Sequence, residues 1–322
     1  MKIRLYIVTY KRNEVLNENL RTLWASASAE AFDKVTVLAN HPSVEIDAEN
    51  QRPNLSVVVN EARMPHAWGN LSKDWNYGLL DGFRMWNNPD GVDWVVLAQN
   101  DVTWKPGWTE RLAGMKDLLL ITQPRGDQAI ALQIEAVRRI GFFDERFPIL
   151  AYQEVDYFMR AALQLGEQAS INDDHAGELS AWNPRECFMI NYTFSGANEN
   201  ENLHTSRYVD EMGGFFMRKW GLRRGSEIHR LADLMKRRSE FLARLPEEIC
   251  WYPFFWDKCP SMPISLRWYG GLAAWARNPN PDGPIRERFD RYRNGLTRRI
   301  NYIFHKVKYF SRWLLRNIGI HV

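Results

Sequence analysis

Asn100 and Asp101 stand where an apolar run stops. Val95-Val96-Leu97-Ala98 is bounded by Asp93 on one side and by Gln99-Asn100-Asp101 on the other. A short run of this kind reads as a central strand of a parallel sheet, covered on both faces. Open α/β sheets bind ligands at the carboxyl edge of their strands. Asn100 and Asp101 would emerge at that edge, where the Asp101 carboxylate has the hard oxygen chemistry that holds a divalent cation. The competing reading is that Asp101 only turns the chain before Lys105-Pro106-Gly107. The cysteines Cys187, Cys250 and Cys259 match neither a disulfide framework nor a metal spacing. They point to a reducing cytoplasm.

The elements that must position such a site follow from periodicity. Ile3 to Tyr10 predicts a first strand that ends in Lys11-Arg12-Asn13. A helix is expected from about Glu14 to Ser28, with Val15, Leu16, Leu20, Leu23 and Trp24 on one face. Strands are expected at Lys34–Ala39 and Leu55–Val59, and a loop from Gly69 into a helix reaching about Trp86. Further on come a strand over Gln128–Ile134, a short helix to Ile140, and a helix after Tyr152 that Gly166 closes. Strands alternating with helices predict a parallel, doubly wound sheet.

Composition leaves room for this. At 322 residues, 45% apolar and 25% charged, the chain can bury one large or two modest cores. No apolar run approaches the roughly 20 residues of a membrane-spanning helix, and Met1 to Leu5 runs straight into a strand pattern with no signal peptide.

Five motifs in order carry a resemblance. They are Thr9-Tyr10-Lys11-Arg12, Asn76-Tyr77-Gly78, Gln99-Asn100-Asp101 followed by Pro106-Gly107-Trp108, Gly141-Phe142-Phe143-Asp144-Glu145-Arg146-Phe147, and Gln153-Glu154-Val155-Asp156 with Arg160 and Gly166. In this order they resemble bacterial family-2 glycosyltransferases of the GT-A fold, in the branch that builds surface polysaccharides. The likeness covers residues 1–222. It implies a GT-A-like (Rossmann-like), mostly parallel sheet flanked by helices. It also implies an inverting transferase that uses Mg²⁺ or Mn²⁺ and a nucleoside diphosphate sugar, with UDP or dTDP expected. The acceptor would be a glycan or a lipid-linked glycan.

Carried over residue by residue, the resemblance makes Asp101 the metal ligand and Glu154 the general base. Asp156 could share that role, since alternate residues of an extended segment point the same way. As the first residues of a helix, the pair would equally be favoured by its dipole. Thr9, Tyr10, Arg12, Asn40, Asn76 and Asn100 become donor-binding. The family's acid after the second strand is Asn40 here, its Glu-Asp pair is Gln153-Glu154, and its metal-binding His aligns to neither His175 nor His204 securely. Trp104 and Trp108 could stack on sugar or pack in the core. His66 reads as structural.

Residues 223–322 form a separate, helical and basic region. From Ile285 onward it holds ten Lys and Arg against Glu287 and Asp290, with Ile300, Ile303, Phe304, Val307, Phe310, Leu314 and Ile318 at helical spacing. That pattern suits the anionic inner face of a plasma membrane, an acidic partner, or packing on the catalytic domain. Two rival readings are a sugar-phosphate nucleotidyltransferase and a non-catalytic nucleic-acid or glycan-binding protein. Thr9 to Asn13 lacks the glycines of the first. The second places its charge outside the best-formed domain, so no nucleic-acid partner is expected.

Overall fold

Strand β1 (Ile3–Thr9) is mostly apolar, and nearly all of it is buried, Arg4 being ion-paired to Asp33 and Asp90. Pairing on both sides makes β1 an inner strand. Ile3, Leu5 and Ile7 enter one hydrophobic core, while Tyr6 enters another. This is the two-residue alternation of a pleated strand. The computed structural model describes residues 1–60, 71–84, 88–123, 128–147, 152–172, 182–192, 205–222, 231–245 and 250.

On one side β1 pairs in parallel with β2 (Phe32–Ala39), and β2 with β3 (Leu55–Val59). On the other it pairs in parallel with β4 (Trp94–Gln99), with Leu5 opposite Val96 and Ile7 opposite Ala98. After the short β5 (Val102–Trp104) come β6 (Leu120–Gln123), β7 (Ala129–Leu132) and the two-residue β8 (Ala169–Ser170). The seven-stranded sheet has the order β3-β2-β1-β4-β7-β6-β8. β7 is antiparallel to both of its neighbours. The sheet is therefore mostly parallel, as expected, with β7 as its one reversed strand among the described residues. β5 pairs separately with β9 (Ile190–Tyr192).

Helices cover both faces. α1 (Asn13–Ser26) brings Leu16, Leu20 and Leu23 to the Ile3 side, joined by Trp108 and Leu112 of α3 (Trp108–Gly114). α2 (Leu71–Phe83), α4 (Ile134–Ile140) and α5 (Gln153–Leu165) cover the Tyr6 side. The helix expected beyond residue 223 is described only as α7 (Leu231–Lys236) and α8 (Arg238–Leu242), which follow α6 (Thr205–Lys219). Leu234, Phe241, Leu245 and Cys250 join the core that holds α5, and Arg238 Nε donates to the Leu163 carbonyl at 3.2 Å. That core therefore continues past residue 222. Among the described residues no helix is long and apolar enough to cross a membrane. The basic tail lies outside the described residues.

Candidate functional site

The sheet reverses its winding between β1 and β4, with β2 and β3 to one side and β7, β6 and β8 to the other. A crevice at the carboxyl edge of such a switch point is where open α/β sheets hold ligands. The ends of three strands are tied together there. Asn100 Nδ2 donates to Thr9 Oγ1 at 3.0 Å, and the Asn40 amide donates to the Thr9 carbonyl at 3.0 Å. Tyr10 meets His41 edge-on, with ring centroids 6.2 Å apart. Lys11 takes the left-handed conformation (φ 54°), and the chain turns there toward Arg12 and α1.

Asp101 follows β4 directly and is half-buried. Burial pushes its carboxyl above the ordinary aspartate range, while a backbone hydrogen bond and the nearby Arg12 guanidinium pull it back down. Thr9, Tyr10, Arg12, Asn40, Asn100 and Asp101 thus belong to one edge.

Besides Asn100, the other two predicted donor-binding amides also have partners inside the protein. Asn40 is buried between two polar neighbours: its Nδ2 donates to Asp74 Oδ2 of α2 and its Oδ1 accepts from Asn60 Nδ2 at 3.2 Å. Asn76 is 1% exposed. Its Nδ2 donates to the Phe143 carbonyl (2.8 Å) and to Glu145 Oε1 (2.9 Å), and its Oδ1 accepts from the Phe143 amide (2.8 Å). The expectation that Asn76 binds the donor is corrected by this clamp, which spends the amide on the Gly141–Phe147 segment. Glu145 was not singled out from sequence. Burial raises its carboxyl, against the hydrogen bond from Asn76 and the charge of Lys73.

The topology directs the start of α5 toward the same edge. Gly78 of α2 lies against Leu97 and Gly82 against Val95, so α2 runs antiparallel to β4 and begins at the carboxyl edge. Phe143 touches Trp75 of α2 (4.8 Å) and stacks on Tyr157 of α5 (3.8 Å, planes 12° apart). α5 also leads through a three-residue turn into β8, which is parallel to β6. Its 13 residues, with Glu154 in the first turn, span about 20 Å, long enough for a helix that leads into β8 to have crossed from the edge where β4 ends.

Asp156 does not share that position. The structure overturns the extended-segment assumption, because Gln153 already begins the helix. Residues two apart on a helix point about 200° apart. Asp156 is fully buried. Its carboxylate accepts from Arg160 Nη2 (2.9 Å) and Trp220 Nε1 (3.0 Å) and pairs with Lys219 Nζ (2.7 Å). It is a structural anion. Trp104 and Trp108 lie in the core with ring centroids 4.8 Å apart, which leaves neither for sugar stacking.

Among the described residues no three His, Cys, Asp or Glu side chains group closely enough to hold a metal by themselves. One carboxylate at a sheet edge still fits Mg²⁺ or Mn²⁺, because Mg²⁺ at phosphate sites takes one or two carboxylates and fills its shell from phosphate oxygens and water. The raised Asp101 carboxyl is the group a cation would stabilise as an anion. His66, His175 and His204 lie outside the described residues.

No family model and no curated protein sequence matches the chain. Solved structures are similar to it at low identity. S. aureus TarS 1-349 is 15% identical with a TM-score of 0.41, over 56% of this chain and 60% of that one. Mannosyltransferase PcManGT from Pyrobaculum calidifontis, in complex with GDP-Man and Mn²⁺, is 13% identical with a TM-score of 0.40, over 65% of this chain and 60% of that one. Glucosyl-3-phosphoglycerate synthase from Mycobacterium tuberculosis, in complex with Mn²⁺, UDP and glucosyl-3-phosphoglycerate, is 12% identical with a TM-score of 0.45, over 69% of this chain and 81% of that one. The chain spans less than two thirds of the length of the first two.

Proposed function

We propose that this chain is an inverting glycosyltransferase. It moves a sugar from a nucleoside diphosphate, UDP or dTDP, to a hydroxyl of a growing bacterial surface glycan such as an O-antigen, capsule or lipopolysaccharide. The observation that supports the reading is the gathering of Thr9, Arg12, Asn100 and Asp101 at one carboxyl edge, toward which the topology directs the start of α5. The motif order of the family-2 glycosyltransferases runs through the same residues.

In this reading Thr9, Tyr10, Arg12 and Asn100 cradle the nucleotide, and Asn40 meets its base. Asp101 holds a Mg²⁺ or Mn²⁺ ion. Such an ion supplies positive charge to a leaving diphosphate. Arg12 adds a fixed cation beside it. Glu154 accepts the proton of the acceptor hydroxyl. The new C–O bond forms on the face of the sugar opposite the bond that breaks, and the nucleoside diphosphate leaves with that electron pair. No enzyme nucleophile is needed. The basic C-terminal region brings the enzyme to the inner face of the plasma membrane, where a lipid-linked acceptor would lie.

The test is Glu154→Gln. It should lower turnover about 10²- to 10⁴-fold, the usual contribution of a general base, and leave the calorimetric Kd for UDP or dTDP unchanged. Near-normal turnover would reject Glu154 as the base. Asp101→Ala should weaken nucleotide binding in Mn²⁺ but not in EDTA; equal affinity in both media for the unaltered protein would reject the metal.

A further inference from the structure

One face of α1 underlies the turn that carries Asn100 and Asp101. Asn19 is fully buried there. Its Nδ2 donates to the carbonyls of Gln99 (3.1 Å) and Asn100 (3.3 Å), and its Oδ1 accepts from Trp104 Nε1 (2.9 Å). One turn on, the Thr22 hydroxyl accepts from the Trp104 backbone amide at 3.2 Å. Next, the Ser26 carbonyl accepts from the Gly107 amide (3.3 Å), and its hydroxyl accepts from Trp108 Nε1 (3.2 Å). Positions 19, 22 and 26 share one helical face. The polar face of α1 therefore holds the segment from Gln99 to Trp108 at three successive points.

A buried primary amide is costly unless its hydrogen bonds are made. Asn19 uses both N–H groups on the two carbonyls just before Asp101. A leucine of similar size would fill the space and leave two carbonyls and an indole N–H unsatisfied. No other uncharged side chain of this length offers two donors and an acceptor in one plane.

We propose that Asn19 is a positioning residue of the donor site. It fixes the Gln99–Asn100 backbone, so that Asn100 reaches Thr9 and Asp101 follows at a set angle. The inference rests on the glycosyltransferase reading. It adds a residue that touches neither sugar nor nucleotide.

Asn19→Asp keeps the shape and the acceptor for Trp104. It replaces the two donors with an oxygen facing two carbonyl oxygens. Two measurements on the full chain decide the matter: amide hydrogen exchange by mass spectrometry, and calorimetric binding of UDP with Mn²⁺. Exchange over residues 99–104 should speed up about tenfold or more while β1 and β2 keep their protection. Nucleotide affinity should fall about 10- to 100-fold, as when an outer-shell partner is lost. Unchanged exchange in this segment, exchange rising equally across β1 and β2, or unaltered affinity despite a loosened turn would each overturn the proposal. If Asn19→Asp does not fold, Thr22→Val removes the acceptor for the Trp104 amide together with the hydroxyl's own bond to the Asn19 carbonyl (2.9 Å). It should speed exchange over residues 102–104 and weaken UDP binding in the same direction; no change in either would again overturn the proposal. Unaltered protein that binds neither UDP nor dTDP refutes the donor-site reading itself, and the exchange data then judge the lock alone.

Discussion

Asp144 and Asp156 share one ammonium: Lys219 Nζ lies 2.7 Å from a carboxylate oxygen of each. Arg146 flanks the first and Arg160 the second, and none of the five side chains is more than 3% exposed. Removing Lys219 takes a charged donor from both buried carboxylates while Arg146 and Arg160 stay paired, and hydrogen bonds to charged groups are worth about 1.5–3 kcal/mol each. Lys219→Met should therefore lower the urea midpoint strongly, and a shift within error would show the network to be dispensable. Burial alone would raise the Asp144 carboxyl, but Arg146 and Lys219 outweigh it and hold it below the aspartate range. A carboxyl depressed on folding stabilises fully above its unfolded pKa, about 3.9, and loses that contribution as pH falls through the folded value. Urea midpoints should thus drop below about pH 4, and Asp144→Asn should flatten that drop while lowering stability at neutral pH. The same network shows why Asp156 was misread from sequence. Spacing by two marks one face only on a strand, and nothing local reveals that Lys219 and Trp220, more than 60 residues away, will close over it. Asn76 was misplaced for the same reason, since its partners lie 67 and 69 residues on.

Gly78 marks where α2 meets the sheet. A Cβ there would come within 2.8 Å of Leu97 Cδ2 and 3.0 Å of Tyr6 Cγ, both in the buried core. Alanine would gain about 1 kcal/mol of helix propensity, whereas overpacking a filled core costs about 1–3 kcal/mol. The clash should win. Gly78→Ala is expected to lower the thermal midpoint by several degrees, and a raised midpoint would mean the helix can withdraw from the sheet. Gly114 offers a control, because nothing lies within 4 Å of a Cβ built there. The elements readable in advance were β1, β2, β3, β4, β7, α1, α2, α4 and α5, where the apolar pattern is bounded by clear turn signals. β5, β6, β8 and β9, of two to four residues, are too short to show a period, and their pairing depends on partners distant in the chain. The reversal of β7 was equally hidden, since an apolar strand carries no mark of its direction.

Charge is divided along the chain. The whole chain carries a formal surplus of three positive charges, but residues 285–322 alone hold ten Lys and Arg against two acids. The remainder is net acidic, so the basic charge is confined to one end of the sequence. Each Lys or Arg held close to an anionic lipid surface contributes about 1 kcal/mol. Half of the ten would roughly match one acyl anchor, whose association constant of about 10⁴ M⁻¹ is worth about 5.5 kcal/mol. Ile300, Phe304, Val307, Phe310, Leu314 and Ile318 add apolar contact at helical spacing. Two consequences separate a membrane-binding tail from one that packs on its own protein. Sedimentation with vesicles containing about a third phosphatidylserine should be strong at low salt and weaken as the Debye length shrinks toward about 8 Å at physiological ionic strength. Sedimentation with neutral vesicles should be slight. Deleting residues 285–322 should abolish the first while leaving the calorimetric affinity for UDP unchanged, since the proposed nucleotide cradle is built from residues before 102. If the deletion kept full vesicle binding, the tail would not be the contact. If it destroyed nucleotide binding and lowered the thermal midpoint, the basic segment would instead be holding the protein's own fold.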